Sequence, residues 1–322
     1  MKKIVINSEL FATGRILREP PGSQSGYWVG APGAYFSIEE KAMYLTYRIR
    51  RPRGIAPDRG GEARIARSTD REHYEDIWTV TKDRFSTASI ERCALRRGPD
   101  GLWRYFVSMV DPADGRWCVE VLKATRPDNF DPIQARRLFS AETVGLEGIK
   151  DPWIREISNG FEMFLSVAMR TPKTSDTSHA TLDIFNTGDC VSVTALATSR
   201  DLDNWDWQGV VFAPSGPGWD SYCRRLNCVV PGLGAFYDGS ASEKENYEEK
   251  TGLAVAAGPQ SWKTATPDGP LLTSPYSSNS LRYVDVAAAE GRLHFFYEFA
   301  RMDGAHELRS LSMDAGAFSS GT

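Results

Sequence analysis

The feature that most constrains this chain is a series. Five times, a short apolar strand opens at a small or charged residue and is followed by further strands and a polar corner in the same order. The openings are Ala31, Glu91, Asp151, Arg225 and Arg282. They recur roughly every 60 residues, the period expected of a repeat architecture in which each unit buries its apolar face only against its neighbours. The clearest unit is the third. Gly148-Ile149-Lys150-Asp151-Pro152-Trp153-Ile154 reads as a strand, Asn159-Gly160 as a tight turn, and Phe161 to Val167 as its partner. Proline lacks an amide donor, so Pro152 is expected at the first position of its strand.

The other units fill in around this one. Ala31 to Phe36, Ala42 to Arg48, Ala63 to Arg67 and Ile77 to Val80 read as a first four-stranded meander. Ser89 to Leu95, Trp103 to Ser108 and Trp117 to Ala124 give three strands of the second. Val191 to Ala197 continues the third. Arg225 to Val230, Ala235 to Gly239 and Thr251 to Ala257 belong to the fourth, and Arg282 to Val286, Leu293 to Glu298 and Leu308 to Leu311 to the fifth. A small polar residue, a short loop and an aromatic mark one corner of four units: Ser68 to Tyr74, Thr125 to Phe130, Ser199 to Trp205 and Gly258 to Trp262. The segment Lys3 to Leu17 is expected to supply an edge or closing strand. The polar insertion Thr171 to Gly188 lengthens the third step and is expected to loop over one face. Helical periodicity is nearly absent; Ser242 to Lys250 is the best candidate for a turn or two. The expected fold is all-β, a five-bladed β-propeller of four antiparallel strands per blade, forming one domain over residues 1–322.

Composition excludes several partners. A formal net charge of -4, with 41% hydrophobic and 25% charged residues, gives no reason to expect nucleic acid or a membrane. The loop around Arg48, Arg50, Arg51 and Arg53 lacks interleaved aromatics and is expected to be solvated. No stretch approaches membrane-spanning length, and the five cysteines lack CxxC spacing, so a cytoplasmic protein without disulfides is expected. Four histidines without ligand spacing argue against a metal site, and no cofactor motif is present.

In a propeller the first strand of every blade lines the central channel, so the blade starts converge. Glu91 and Asp151 would face Arg92, Arg225 and Arg282, with Trp28, Trp153 and Tyr283 as walls; Arg224 and Asp238 lie close in sequence to this ring. Carboxylates, guanidiniums and aromatic faces in one concavity suit a sugar. Glycoside cleavage uses one carboxylic acid to protonate the leaving oxygen and a second group to activate water or attack, roles Glu91 and Asp151 could fill. An ion-pair network that fills the channel is the alternative.

Lys150-Asp151-Pro152-Trp153 followed by Gly160-Phe161-Glu162-Met163-Phe164, within the fivefold pattern, resembles the five-bladed propeller glycosidases. These include glycoside hydrolase family 43, the invertase/levansucrase families 32 and 68, and the mannoside phosphorylase/mannosidase family 130. The resemblance implies that Asp151 occupies the position of the Asp-Pro aspartate that tunes and orients in the arabinanase-like members. Two departures accompany it: Ala31 stands where a base aspartate is expected, and Arg224-Arg225 where a glutamate is expected. Gly30-Ala31-Pro32-Gly33 and Gly234 to Gly239 look more like the phosphorylase family, in which one main carboxylic acid acts and arginines hold phosphate. The implied activity is cleavage of a glycosidic bond in a small oligosaccharide or glycoside. The alternatives are a phosphorylase with an arginine-bound anion, or a carbohydrate-binding propeller that has lost its chemistry.

Overall fold

A computed structural model describes residues 5–318. A single closing strand comes first, β1 (Arg15–Arg18), after a short helix Ser8–Ala12. Asn7 caps that helix, its side chain accepting from the Leu10 amide at 2.9 Å. Four complete antiparallel meanders follow. The first is β2 (Trp28–Ser37), β3 (Ala42–Arg51), β4 (Arg59–Ser68) and β5 (Glu75–Thr81). The second is β6 (Ile90–Arg97), β7 (Trp103–Val110), β8 (Trp117–Ala124) and β9 (Arg136–Phe139). The third is β10 (Gly148–Ile157), β11 (Gly160–Arg170), β12 (Cys190–Ser199) and β13 (Trp205–Phe212). The fourth is β14 (Cys223–Val230), β15 (Gly234–Ser240), β16 (Lys250–Gly258) and β17 (Ser261–Thr264). A fifth contains β18 (Leu281–Ala289), β19 (Arg292–Ala300) and β20 (His306–Asp314), and is completed by β1 pairing with β20. The closing strand thus falls at the end of the segment expected to supply it, after the helix Ser8–Ala12, while Lys3 and Ile4 lie outside the described residues. The fourth strand of the last meander comes from the other end of the chain, which ties the two ends together.

The first strands of the five meanders carry nearly all their residues buried. Each breaks register near its start, between Gly30 and Gly33, Ile90 and Cys93, Lys150 and Trp153, Leu226 and Cys228, and Arg282 and Asp285. A bulge leaves residues outside the ladder and re-aims their side chains. Ala31, Asp151 and Tyr283 pay for this with left-handed backbone at φ 51°, 55° and 54°. Pro152 accordingly sits inside its strand rather than at its first position. The bulge has no ladder bond there for a missing amide to break.

Side chains from neighbouring meanders hold the bulges. The Asp151 amide donates to Ser108 Oγ at 2.7 Å, the Tyr283 amide to Asp238 at 3.0 Å, and the Ala31 amide to Glu298 at 3.2 Å. Ser108, Asp238 and Glu298 all lie on second strands, so one position in the repeat caps the next unit's bulge. Apolar packing fills the space between sheets, as with Trp103, Tyr105 and Ile65 between the first two meanders. The insertion after β11 is pinned by Ile184 and Phe185, which pack on Trp117 and Cys190. Among the described residues, no helix is long and apolar enough to cross a membrane.

Candidate active site

At the bulged ends of the first strands lies a small chamber. Its walls include Trp28, Arg48, Arg50, Glu91, Lys150, Arg225, Glu249, Arg282 and Tyr283, and it leaves about 10 Å³, room for about one water molecule. Three of the sequence candidates, Glu91, Arg225 and Arg282, reach it directly, and Trp28 and Tyr283 join them. The other residues were missed. Arg48 and Arg50 are on β3 and almost fully buried, not on a solvated loop. Their signal was available: two arginines separated by Ile49 at the end of an apolar strand must point to the same face.

Charge is closely matched around the chamber. Glu91 receives Arg48 Nε at 2.9 Å and Arg50 Nη1 at 3.0 Å, one on each carboxylate oxygen. Burial alone would raise its pKa, but Arg48, Lys150 and Arg50 outweigh burial and hold it well below the usual carboxylate range. A carboxylate held ionised this way is a poor proton donor, so the ion-pair alternative describes Glu91. Glu249 pairs with Arg225 and with Arg282 Nη1, the latter at 2.5 Å. Glu298 accepts from Arg282 Nε at 2.9 Å and lies 3.3 Å from Arg48 Nη2. His306 sits between two carboxylates, Nδ1 2.8 Å from Glu298 and Nε2 2.8 Å from Glu248 off hydrogen-bond alignment. Burial pulls its pKa down, but Glu248 and Glu298 more than reverse this.

Asp151 differs from every other acid here. It is 3% exposed, and neither carboxylate oxygen has a hydrogen-bond partner. Its one close cation is Lys150 Nζ, 3.4 Å from Oδ2. The Asp151 charge is felt by Tyr283, whose hydroxyl is raised chiefly by burial and then by Asp151 and Glu91, and by Arg225. Asp151 does not itself line the chamber; Lys150, its close cation, does. Three donors are also unspent: Trp28 Nε1, Arg48 Nη1 and Arg225 Nε are buried without partners. Buried polar groups left unmade cost about 1–3 kcal/mol each, so a cluster of them marks a place for a polar ligand.

Four expected site residues lie elsewhere. Arg92 is completely buried and is not part of the chamber's walls. It donates to Pro32 O at 2.8 Å and Asn227 O at 3.0 Å and pairs with Asp285 at 3.2 Å, linking its own meander to three others. Arg224 points to the opposite face of β14 from Arg225, where both oxygens of Asp220 take its guanidinium at 2.9 Å. Strand alternation decides this, since successive residues cannot share a face. Asp238 is fully buried, accepting from Asn227 Nδ2 at 2.6 Å and from the Tyr283 amide, and burial beside Glu249 raises its pKa. Trp153 lies in a separate cleft with Tyr35, Arg96 and Glu156, its indole donating to Asp285 at 2.8 Å. Trp28 does wall the chamber, but its faces are occupied: Arg282 lies 4.8 Å and Arg50 5.0 Å from the ring, and His306 stacks at 4.9 Å.

Comparison with known proteins places the fold. No protein-family model matches the chain, and no curated protein matches it in sequence. Solved structures do match along nearly its whole length. A glycoside hydrolase aligns over 98% of this chain and 93% of its own, with a TM-score of 0.67 at 12% identity. A β-1,2-mannobiose phosphorylase from Listeria innocua, in complex with β-1,2-mannobiose, covers 97% of both chains with a TM-score of 0.62 at 13% identity. A GH43_1 enzyme from Xanthomonas citri, complexed with xylotriose, covers 94% of this chain and 92% of its own, with a TM-score of 0.60 at 12% identity. The resemblance read from the sequence therefore holds at the level of fold, and it is a distant one.

Proposed function

We propose that the chain is a single five-bladed β-propeller over residues 1–322 and that it cleaves a glycosidic bond of a small oligosaccharide or glycoside in the chamber. Five meanders with aligned bulges, the N-terminal strand closing the last, support the propeller. The observation that carries the activity is Asp151. Among the described residues it is the one acid with both side-chain oxygens buried and without a hydrogen-bond partner, and its neighbour Lys150 lines the chamber together with Trp28, Arg48 and Arg225, each of which keeps a donor unspent. A hydroxyl-rich ligand offers donors to the carboxylate and acceptors to Arg48, Arg225 and Trp28 in the same volume. Fold neighbours that act on mannobiose and bind xylotriose support the substrate class.

In this reading Asp151 protonates the leaving oxygen, Lys150 stabilises the carboxylate that results, and Glu91 is the counter-ion that fixes Arg48 and Arg50. One observation favours phosphate over water as acceptor. Glu91 is fully engaged, so no second free carboxylate stands ready to activate water, whereas Arg48 Nη1 and Arg225 Nε each keep a donor unspent. Hydrolysis remains the main reading, with phosphorolysis beside it. The unpaired, buried state of all five cysteines supports a reducing, cytoplasmic setting. The test is a panel of 4-nitrophenyl glycosides and oligosaccharides with and without inorganic phosphate. Turnover of at least one supports an enzyme; sugars that raise the melting temperature without any turnover would leave a binding propeller instead.

A further inference from the structure

The chamber is nearly shut, yet a larger vestibule of about 580 Å³ lies directly outside it. Asp183, Asn186 and Tyr247 belong to the walls of both. These three residues are therefore the partition. Tyr247 donates its hydroxyl to Asp183 Oδ2 at 2.6 Å, and Asn186 Nδ2 donates to the same oxygen at 3.0 Å. Asn246, beside Tyr247, donates to Asn186 Oδ1 at 2.9 Å and to the Phe185 carbonyl at 2.8 Å.

The two sides of the partition are built differently. On one side Asp183 is anchored: Trp117 Nε1 donates to Oδ1 at 3.1 Å, and Ile184 and Phe185 are buried in the third meander's packing. On the other side, the loop between β15 and β16 holds Tyr247 with little apolar support. Glu243, Lys244 and Glu245 form a single 3-10 turn without a buried residue. A segment with few apolar contacts and a handful of polar ones belongs to the low-stability end of local opening. Tyr247 and Asn246 hold it down through Asp183, Asn186 and the Phe185 carbonyl, Tyr247 also meets the Trp28 ring, and Glu248 fixes the end of the segment on His306 and Ser278.

We propose that residues 241–248 are a gate, latched by Tyr247 on Asp183, which swings on a fixed jamb of residues 183–186 and joins vestibule and chamber into one path. Opening vacates the place of the Tyr247 hydroxyl on Asp183 Oδ2, which keeps its bond from Asn186, and uncovers the face of Arg50 over which Tyr247 packs at 5.0 Å, so both become ligand contacts at the threshold. The vestibule, edged by Arg53, Thr177, Thr181, Thr187 and Asp189, then takes the second unit of a ligand whose first unit fills the chamber. This last assignment rests on the glycoside reading; the gate itself does not.

The test needs no sugar. Phenylglyoxal labels arginines that it can reach, and peptide mass spectrometry reads Arg50 and Arg92 separately on the full-length protein. Tyr247→Phe keeps the ring and removes the latch hydroxyl. The expected result is roughly tenfold faster labelling of Arg50, the effect of losing one hydrogen bond to a charged group, with Arg92 unchanged. Hydrogen exchange of amides in 241–249 should quicken by a similar factor, while 183–190 keep their wild-type rates. Unchanged Arg50 labelling, or Arg50 and Arg92 accelerating together as in general unfolding, would overturn the gate. A protein whose Arg50 behaves as expected but which turns over no glycoside in the panel keeps the gate and loses the glycoside reading.

Discussion

The chamber and the cleft beside Trp153 make an instructive pair. The chamber has almost no free volume, yet it collects unspent donors around Arg48, Arg225 and Trp28, and its Lys150 pairs with an acid that has no hydrogen-bond partner. The cleft beside Trp153 offers about 340 Å³. Its polar groups are already occupied there: Trp153 is bonded to Asp285, Arg96 Nη1 donates to the Leu95 carbonyl at 2.7 Å, and Arg155 Nε donates to Glu162 at 2.7 Å. Space alone would choose the cleft. Unfinished hydrogen bonding chooses the chamber, and that criterion carries a free-energy cost that empty volume does not.

The contrast can be broken experimentally, and the largest effect should come from Asp151. Asp151→Asn keeps the shape and removes the proton, so turnover should fall roughly 10²–10⁴-fold in steady-state assays. Glu156→Gln, at the cleft, should leave turnover unchanged. Glu91→Gln addresses the chamber's ion pairs. Removing one partner of a buried pair costs about 3–5 kcal/mol, so this variant should lose stability of that order in urea titrations.

Smaller effects sharpen the same division. Trp153→Phe loses the hydrogen bond to Asp285 and should cost about 1–2 kcal/mol of stability without altering kcat or KM. His306 gives the chamber a pH signature. Its folded pKa lies above the ordinary histidine value, so its contribution is fully present below that value and fades as pH rises through the folded pKa. Stability of the wild type should therefore decline as pH climbs above about 6.5, and His306→Gln should flatten that decline in melts across pH.

The repeat was legible because apolar strands recur in the same order in every unit and a polar corner recurs in four of them. What the sequence hid was geometry. β9 is a short strand with two exposed arginines, which carries no alternation to read. The N-terminal turn before β1 is set by one cap at Asn7. At the site, the bulges were invisible, so every polar residue near a blade start looked equally able to face the channel. Arg225 and Arg224 were separated only by strand alternation, and Arg92 only by its bonds to Pro32, Asn227 and Asp285. Glu249 and Glu298 were missed because one comes just before a third strand and the other from a second strand, although they balance Arg225 and Arg282. Asp151 was singled out because it opens the third unit of the repeated series, not because its bulge could be read.

The central claim is that ligand chemistry belongs to the chamber and Asp151 rather than to the cleft beside Trp153. A crystal structure of Asp151→Asn soaked with the best glycoside of the panel tests it directly. The account predicts the scissile oxygen within about 2.6–3.2 Å of the residue 151 side chain, with Tyr247 displaced from Asp183. A sugar seated instead beside Trp153 and Arg96, with the chamber still closed, would contradict it.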